Sequence, residues 1–368
     1  MRYPCRLLLM GLLAAVLWNI PLLAEAQGAR LQISVGELGQ KTASFSVGEK
    51  HRWFLLADIP TNWEETESIS VLQTLSPQLE LDTQSISARV LKENGEQTLL
   101  RMEEHLQVSA GSVFVEDGIA DRFRVSLTRE GKEILSEYAG TQARLLIRYD
   151  AQIRPTASAG AQIIGSAQLD ITGTEGKRTI ILSDKAVAAT GGIHVALTAP
   201  DGSALSQERF MLAREATQEE REDPLVLTEL LDTGEKTIQV VYTRFFTSET
   251  MEGEKTDIAV TDKDGRACLY GLSYGVYYLV QMESVREDML ASEPVQVCVN
   301  AVSHLTEKDG WKDSKGKTVD NTVRVTDTLL VMPQTGGLGT MPYTACGMAV
   351  ILCACLLLWY NKKRIPAV

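Results

Sequence analysis

Apolar residues along this chain recur in short bursts at every second position, broken by polar residues and by turns that contain glycine. No long stretch sustains the three-to-four spacing of an amphipathic helix. Successive side chains of a strand point to opposite faces, so this pattern predicts strands with one buried face. In the first half, strands are expected at 31–35, 51–59, 68–75, 112–115, 122–127 and 144–153. Turns are expected at Asn94-Gly95, Asp117-Gly118 and Glu130-Gly131, and one short helix within 131–138. In the second half, 191–202 reads as a strand then a turn, 209–213 as the next strand, and 261–281 as an Asp-Gly turn, a strand, a turn bounded by Gly271 and Gly275, and an aromatic strand at 276–280. The number and spacing of these elements predict an all-β chain of two tandem immunoglobulin-like sandwiches, 27–185 and 186–330.

Two longer apolar runs fall outside that pattern. Arg2 and Arg6 precede the run 7–23, and Ala24-Glu25-Ala26 offers a small-x-small cleavage site, so 1–26 reads as a signal peptide and Gln27 as the first mature residue. Near the other end, the run 345–360 is about long enough for a helix to span a bilayer, and Lys362, Lys363 and Arg364 follow it, which favours retention on the cytoplasmic side. The body between the two runs is therefore expected outside the cell, with the terminal helix in the membrane.

Charge and cysteine usage fit an exported product. The net charge is −12, with 48 acidic against 36 basic residues and no concentrated basic stripe, which excludes nucleic acid as an expected partner. Of the cysteines, Cys5 leaves with the leader and Cys346, Cys353 and Cys355 lie in the terminal run. Cys268 and Cys298 remain in the body. By strand alternation each thiol points away from its apolar neighbours, so the two are either bridged across one sheet face or separately free.

Candidate catalytic and metal chemistry is sparse. Gly271 to Gly275 satisfies Gly-x-Ser-x-Gly, but that nucleophile elbow joins a strand to a helix, and here a strand follows, so Ser273 is expected in a hairpin. Asp262 to Gly265 shares residues with a calcium loop but lacks its later ligands, and reads as an Asp-Gly turn. His51, His105, His194 and His304 are scattered without zinc-like spacing. No metal, cofactor or enzymatic activity is expected. The acidic run 215–223 and the loop with Lys308, Lys312, Lys315 and Lys317 read as solvated charge.

The order Met332, Pro333, Gln334, Thr335, Gly336, Gly337, then an apolar run and a basic tail, resembles the sorting signal of sortase-anchored proteins of Gram-positive bacteria. Met332 stands where that signal usually has Leu. The resemblance implies a sorting segment at 331–368, cut between Thr335 and Gly336 by a sortase transpeptidase, with the Thr335 carbonyl joined to peptidoglycan or to another pilin subunit. The segments 41–60, 71–79 and 146–153 together resemble the isopeptide-type sandwich domain of fimbrial shaft subunits, and 191–202 with 261–281 resembles the Cna-B-type pilin domain.

These resemblances imply a sharper chemical expectation. In such domains a buried Lys amine attacks an Asn or Asp side chain while a nearby acid shuttles protons, giving an internal amide. The resemblance places that Lys at Leu197, the acid at Gln281 and the acceptor at Asn321, none of which completes the set. In the first domain Lys41 is retained, but Gly165-Ser166 stands where the acceptor belongs. The Pro-Lys pair that supplies the polymerising amine of shaft pilins is absent from this sequence. The expected function is thus a wall-anchored, non-enzymatic pilin-like subunit of base, accessory or shaft type. The alternatives are a stand-alone adhesin for a host protein or glycan, with Trp53, Trp63 and Trp311 as candidate patch residues, and a secreted hydrolase using Ser273.

Overall fold

The computed structural model describes residues 29–60, 63–251, 253–282, 284 and 289–329. The leader, the sorting residues Met332, Pro333, Gln334, Thr335 and Gly336, and the apolar run after them lie outside the described residues. In chain order the first body holds β1 (Leu31–Val35), β2 (Thr42–Ser44), β3 (Lys50–Asp58), β4 (Thr66–Thr74), β5 (Leu79–Leu91), β6 (Gln97–Leu100), β7 (Leu106–Val115) and β8 (Gly118–Leu127). After these come α1 (Arg129–Ser136), β9 (Arg144–Ile153), β10 (Gln162–Gly173), β11 (Arg178–Leu182) and β12 (Ala186–Ala189). One sheet runs β1-β3-β9-β5-β6. The other runs β2-β12-β10-β4-β8-β7, with β11 also on β10.

Alternation drives the packing. His51, Trp53, Leu55 and Ala57 of β3 and Leu145, Ile147, Tyr149, Ala151 and Ile153 of β9 are buried at every second position. They face Val71, Phe123, Val125, Ile163 and Leu169 of the opposite sheet in one apolar core. The expected Glu130-Gly131 turn is instead the first turn of α1, where the Gly131 amide donates to the Thr128 hydroxyl as an N-cap. Glycine is required there because a Cβ would sit 1.9 Å from the His105 carbonyl oxygen.

The second body holds β13 (Gly191–Thr198), β14 (Arg209–Glu215), α2 (Gln218–Glu222), β15 (Glu229–Asp232), β16 (Thr237–Tyr242), β17 (Ala259–Val260) and β18 (Arg266–Leu272). These are followed by β19 (Gly275–Gln281), β20 (Met289–Leu290), β21 (Val295–Val299), β22 (Val323–Thr326) and β23 (Thr328–Leu329). A three-stranded sheet, β18-β13-β22, covers a larger one, β15-β16-β14-β19-β21, which also carries β17 on β14. Ile193, Val195, Leu197 and Leu269 meet Phe210, Leu212, Tyr277, Leu279, Val297 and Val299 in the core between them. Both bodies are β-sandwiches, as the alternation predicts. Strand β12 pairs with β10 and runs parallel to β2, so 186–189 belongs to the first sheet system.

The acidic run 215–223 is not a plain solvated loop. Five of its residues form α2, closed by a Thr217–Glu220 capping box, and Glu220 also takes a two-pronged contact from Arg214. That guanidinium, with the cap, holds the Glu220 carboxyl down at a pKa of about 2.

Candidate functional site

Three places carry the residues singled out from the sequence. In the first sandwich Lys41 lies in the β1–β2 connection, outside the core, with its ammonium donating to the Ile33 carbonyl at 3.0 Å and lying 3.7 Å from Asp184. Gly165 faces inward from β10. A Cβ there would lie 2.5 Å from the Trp53 indole and 3.1 Å from Ile33 Cδ1. The indole therefore fills the space that an acceptor side chain at position 165 would need.

Trp53 belongs to a line of rings across the core. Phe45 stacks on His51 at 3.9 Å, His51 is 6.0 Å from Trp53, Trp53 stacks on Tyr149 at 6.2 Å, and Phe123 meets Tyr149 edge-on at 5.0 Å. The stack costs polar satisfaction: Trp53 Nε1, Tyr149 Oη and His51 Nε2 are buried without a hydrogen-bond partner among the described residues. Burial lowers the His51 pKa to about 4 and raises that of Tyr149 well above the ordinary phenol value, so both rings are neutral in ordinary buffers.

The second sandwich has a buried polar cluster around Gln281. The Gln281 amide donates to Glu208 Oε2 at 3.2 Å and to Asp327 Oδ2 at 3.0 Å, while its carbonyl accepts from the Ser292 amide and hydroxyl, each at 3.0 Å. Ser284 donates to Glu208 Oε1, and the Glu208 amide donates to Thr261 Oγ1. Glu208 and Asp327 are completely buried. The cluster ties the start of β14, the end of β19 and the link between β22 and β23. Leu197 is also completely buried, in the apolar core, and brings no amine.

Asn321 is not part of this cluster. Its amide donates to the Val302 carbonyl at 2.7 Å in a surface loop, and Asp327 occupies the cluster position instead. Sequence reasoning missed Glu208 and Asp327 because each is a common acidic residue at a strand end, where surface exposure is the ordinary outcome. Only the meeting of three distant segments buries them.

The third place is the junction of the sandwiches. The Val47 amide donates to the Gly271 carbonyl at 3.0 Å, the Tyr274 amide to Ser44 Oγ at 2.9 Å, and the Gly160 amide to the Thr190 carbonyl at 2.7 Å. Phe246, Met251 and Tyr270 of the second body are buried in the same apolar cluster as the first body's core. Gly271 holds a φ of +75° with Val47 and Phe246 packed against it, a position that excludes other residues. On the same face His194 Nε2 lies 2.9 Å from Tyr270 Oη, and His194 Nδ1 lies 3.2 Å from Cys268 Sγ. Burial pushes the Cys268 thiol up and both His194 and His304 down.

The cysteine pairing expected as one alternative is absent: both thiols are free. Each does point away from its apolar neighbours, but Cys268 lies on β18 of one sheet and Cys298 on β21 of the other. The core separates them, and packed sheets stand about 10 Å apart, beyond disulfide reach. Ser273 lies in the β18–β19 hairpin with its hydroxyl 2.8 Å from Tyr277 Oη, with no helix following. Asp262 caps its turn by accepting from the Asp264 and Arg266 amides, both at 2.9 Å. Trp53 is fully buried, Trp63 half-buried and Trp311 exposed.

No family model and no curated protein matches the sequence. Solved structures match its fold. The 35 kDa C-terminal fragment of the major pilin GBS80 of Streptococcus agalactiae superposes with a TM-score of 0.57 at 17% identity, over 82% of this chain and 99% of that one. The full-length major pilin SpaD from Corynebacterium diphtheriae gives 0.52 at 11% identity over 83% of this chain and 66% of its own length. The major pilin SpaA of the same organism gives 0.50 at 16% over 81% and 68%. The chain thus has the fold of Gram-positive major pilins, built here on cores that hold no lysine amine beside an acceptor among the described residues.

Proposed function

We propose that this chain is a non-enzymatic, wall-anchored structural subunit of a Gram-positive surface fimbria, acting as a base or accessory unit. The observation that carries the reading is the pair of sandwiches joined through one buried junction, a body that matches a major pilin fragment over nearly its whole length. Strand ladders share shear among many backbone hydrogen bonds, and a buried junction passes load from one body to the next without a loose linker. The motif at Met332 to Gly336 supplies the tether: a sortase cuts after Thr335 and joins its carbonyl to peptidoglycan or to another subunit's amine. The absence of a Pro-Lys pair favours a unit that receives or ends a polymer over one that propagates it.

Cell-wall fractionation with an immunoblot tests this reading. Wild-type protein is expected in the wall fraction, and Thr335→Ala or Pro333→Ala is expected to move it to membrane or medium. Either variant remaining wall-linked would contradict the tether, and a high-mass ladder built by this chain alone would contradict the base or accessory role.

A further inference from the structure

The second sandwich carries two surfaces of opposite character that the tethering role does not use. One is the connection after α2, where Leu225, Leu227 and Leu230 are 92%, 80% and 78% exposed within six residues. The loop is not loose. The Leu225 amide donates to Asp223 Oδ1, the Val226 amide to the Asp223 carbonyl, and Gln239 Nε2 to Thr228 Oγ1, while β15 is paired to β16. From 217 to 235 the segment holds Glu219, Glu220, Glu222, Asp223, Glu229, Asp232 and Glu235 against Arg221 alone, a balance of −7 + 1 = −6. A bonded loop that holds leucines out in an acidic rim is a preorganised contact surface for an apolar, basic partner.

The other surface is the hairpin that follows β21. The Asp313 amide donates to the Lys317 carbonyl, the Lys315 and Lys317 amides donate to Asp313 Oδ1, and the Val319 amide closes on the Trp311 carbonyl. Asp309 is likewise turned inward, accepting from the Thr306 amide and hydroxyl. Both carboxylates accept from local backbone, and Lys308, Lys312, Lys315 and Lys317 make no ion pair among the described residues around Trp311, itself 47% exposed. An exposed indole among free ammonium groups is the chemical complement of the leucine loop.

We propose that the leucine loop of one copy docks on the lysine hairpin of a second copy. The whole chain carries −12, so two copies repel unless the acidic segment meets lysines, and 308–317, at +4 − 2 = +2 between the flanking Glu307 and Asp320, offers four of them. The loop joins β14 to β15 of the larger sheet, whereas the hairpin lies in the connection from β21 to β22, so the two surfaces are distinct stretches of the second body. The contact therefore joins unlike surfaces and leaves each end of a pair free to add another copy, a heterologous association that grows side by side. It is independent of Thr335 and of the wall tether.

The test uses the full chain in a non-ionic detergent, with its mass read by light scattering over about a hundredfold range of concentration. The wild type is expected to gain mass with concentration. Glu219→Lys/Glu222→Lys/Glu229→Lys and Lys312→Glu/Lys315→Glu/Lys317→Glu should each remain monomeric, with association weakened by about tenfold or more. Leu225→Ser/Leu227→Ser/Leu230→Ser, which leaves the charges alone, should do the same. Mixing the two charge-reversed proteins leaves one intact surface on each, so they should form a 1:1 pair that grows no further. A wild type that stays monomeric throughout, reversed variants that still associate alone, or a mixture that stays monomeric would each overturn the proposal, the first assigning the leucine loop to a different basic partner.

Discussion

Each sandwich has an apolar core, but the two differ at the positions singled out for an internal cross-link. The first places an indole against a glycine, Trp53 against Gly165, in a line of aromatic rings. The second places an amide between two carboxylates, Gln281 between Glu208 and Asp327. A plug of rings stabilises by removing apolar area from water and tolerates few changes of shape. A hydrogen-bonded cluster adds little net energy but is costly to break, because each buried polar atom left alone bears its full desolvation cost. The two arrangements should therefore fail differently.

The largest difference should come from truncating the plug. Trp53→Ala leaves a cavity beside Gly165 and removes both ring contacts, and should cost about 3–5 kcal/mol in urea unfolding. A loss under about 1 kcal/mol would mean that the indole does not fill that space.

Acid should act next, and on the first sandwich. His51 has a folded pKa of about 4 against 6.5 for the free side chain, because its ring is buried. Both states are neutral above pH 6.5 and its contribution there is complete. As pH falls from about 6.5 to 4 the unfolded chain takes up the proton first, so up to about 3 kcal/mol is lost across that window. His51→Phe should remove this part of the slope; identical slopes in the two proteins would contradict the buried neutral ring.

In the second sandwich, Gln281→Leu strips donors from both carboxylates and should cost about 1–3 kcal/mol, with little effect on the first body's resistance to urea. Separate probes, Trp53 fluorescence for one body and amide exchange in β19 for the other, would show whether the loss stays local. The smallest effect concerns the thiols: with no bridge to reduce, a reductant should leave the unfolding midpoint unchanged. Native alkylation should label exposed Cys298 faster than Cys268, whose thiol burial pushes up.

Much of the fold was legible in the sequence where burial alternates strictly. Strands 31–35 and 144–153 match the expected ranges, and β13 falls within the strand-then-turn stretch 191–202, because one face of each enters a core. Strand β5 was not legible: Leu79–Leu91 interrupts its alternation with Asp82 to Ser85 and shifts register between Asp82 and Ser87. Strand β15 was hidden because it is only four residues long, with Leu230 exposed beside buried Leu231, whereas β16 alternates and was missed. The candidate site was half legible. Leu197 and Gln281 could be seen to lack an amine and an acid, but the sheet that carries each cysteine, and the choice of Asp327 over Asn321, depend on strand order that periodicity does not encode.

Both cores are expected to be closed by packing and hydrogen bonds, with no internal amide. The decisive test is the intact mass of a protein spanning Gln27 to Thr335, after allowance for cyclisation of Gln27. The predicted mass equals that of the sequence, with neither ammonia nor water lost. A mass short by one ammonia or one water, mapped by fragmentation to a cross-link at Lys41, Asn321 or Asp327, would contradict it.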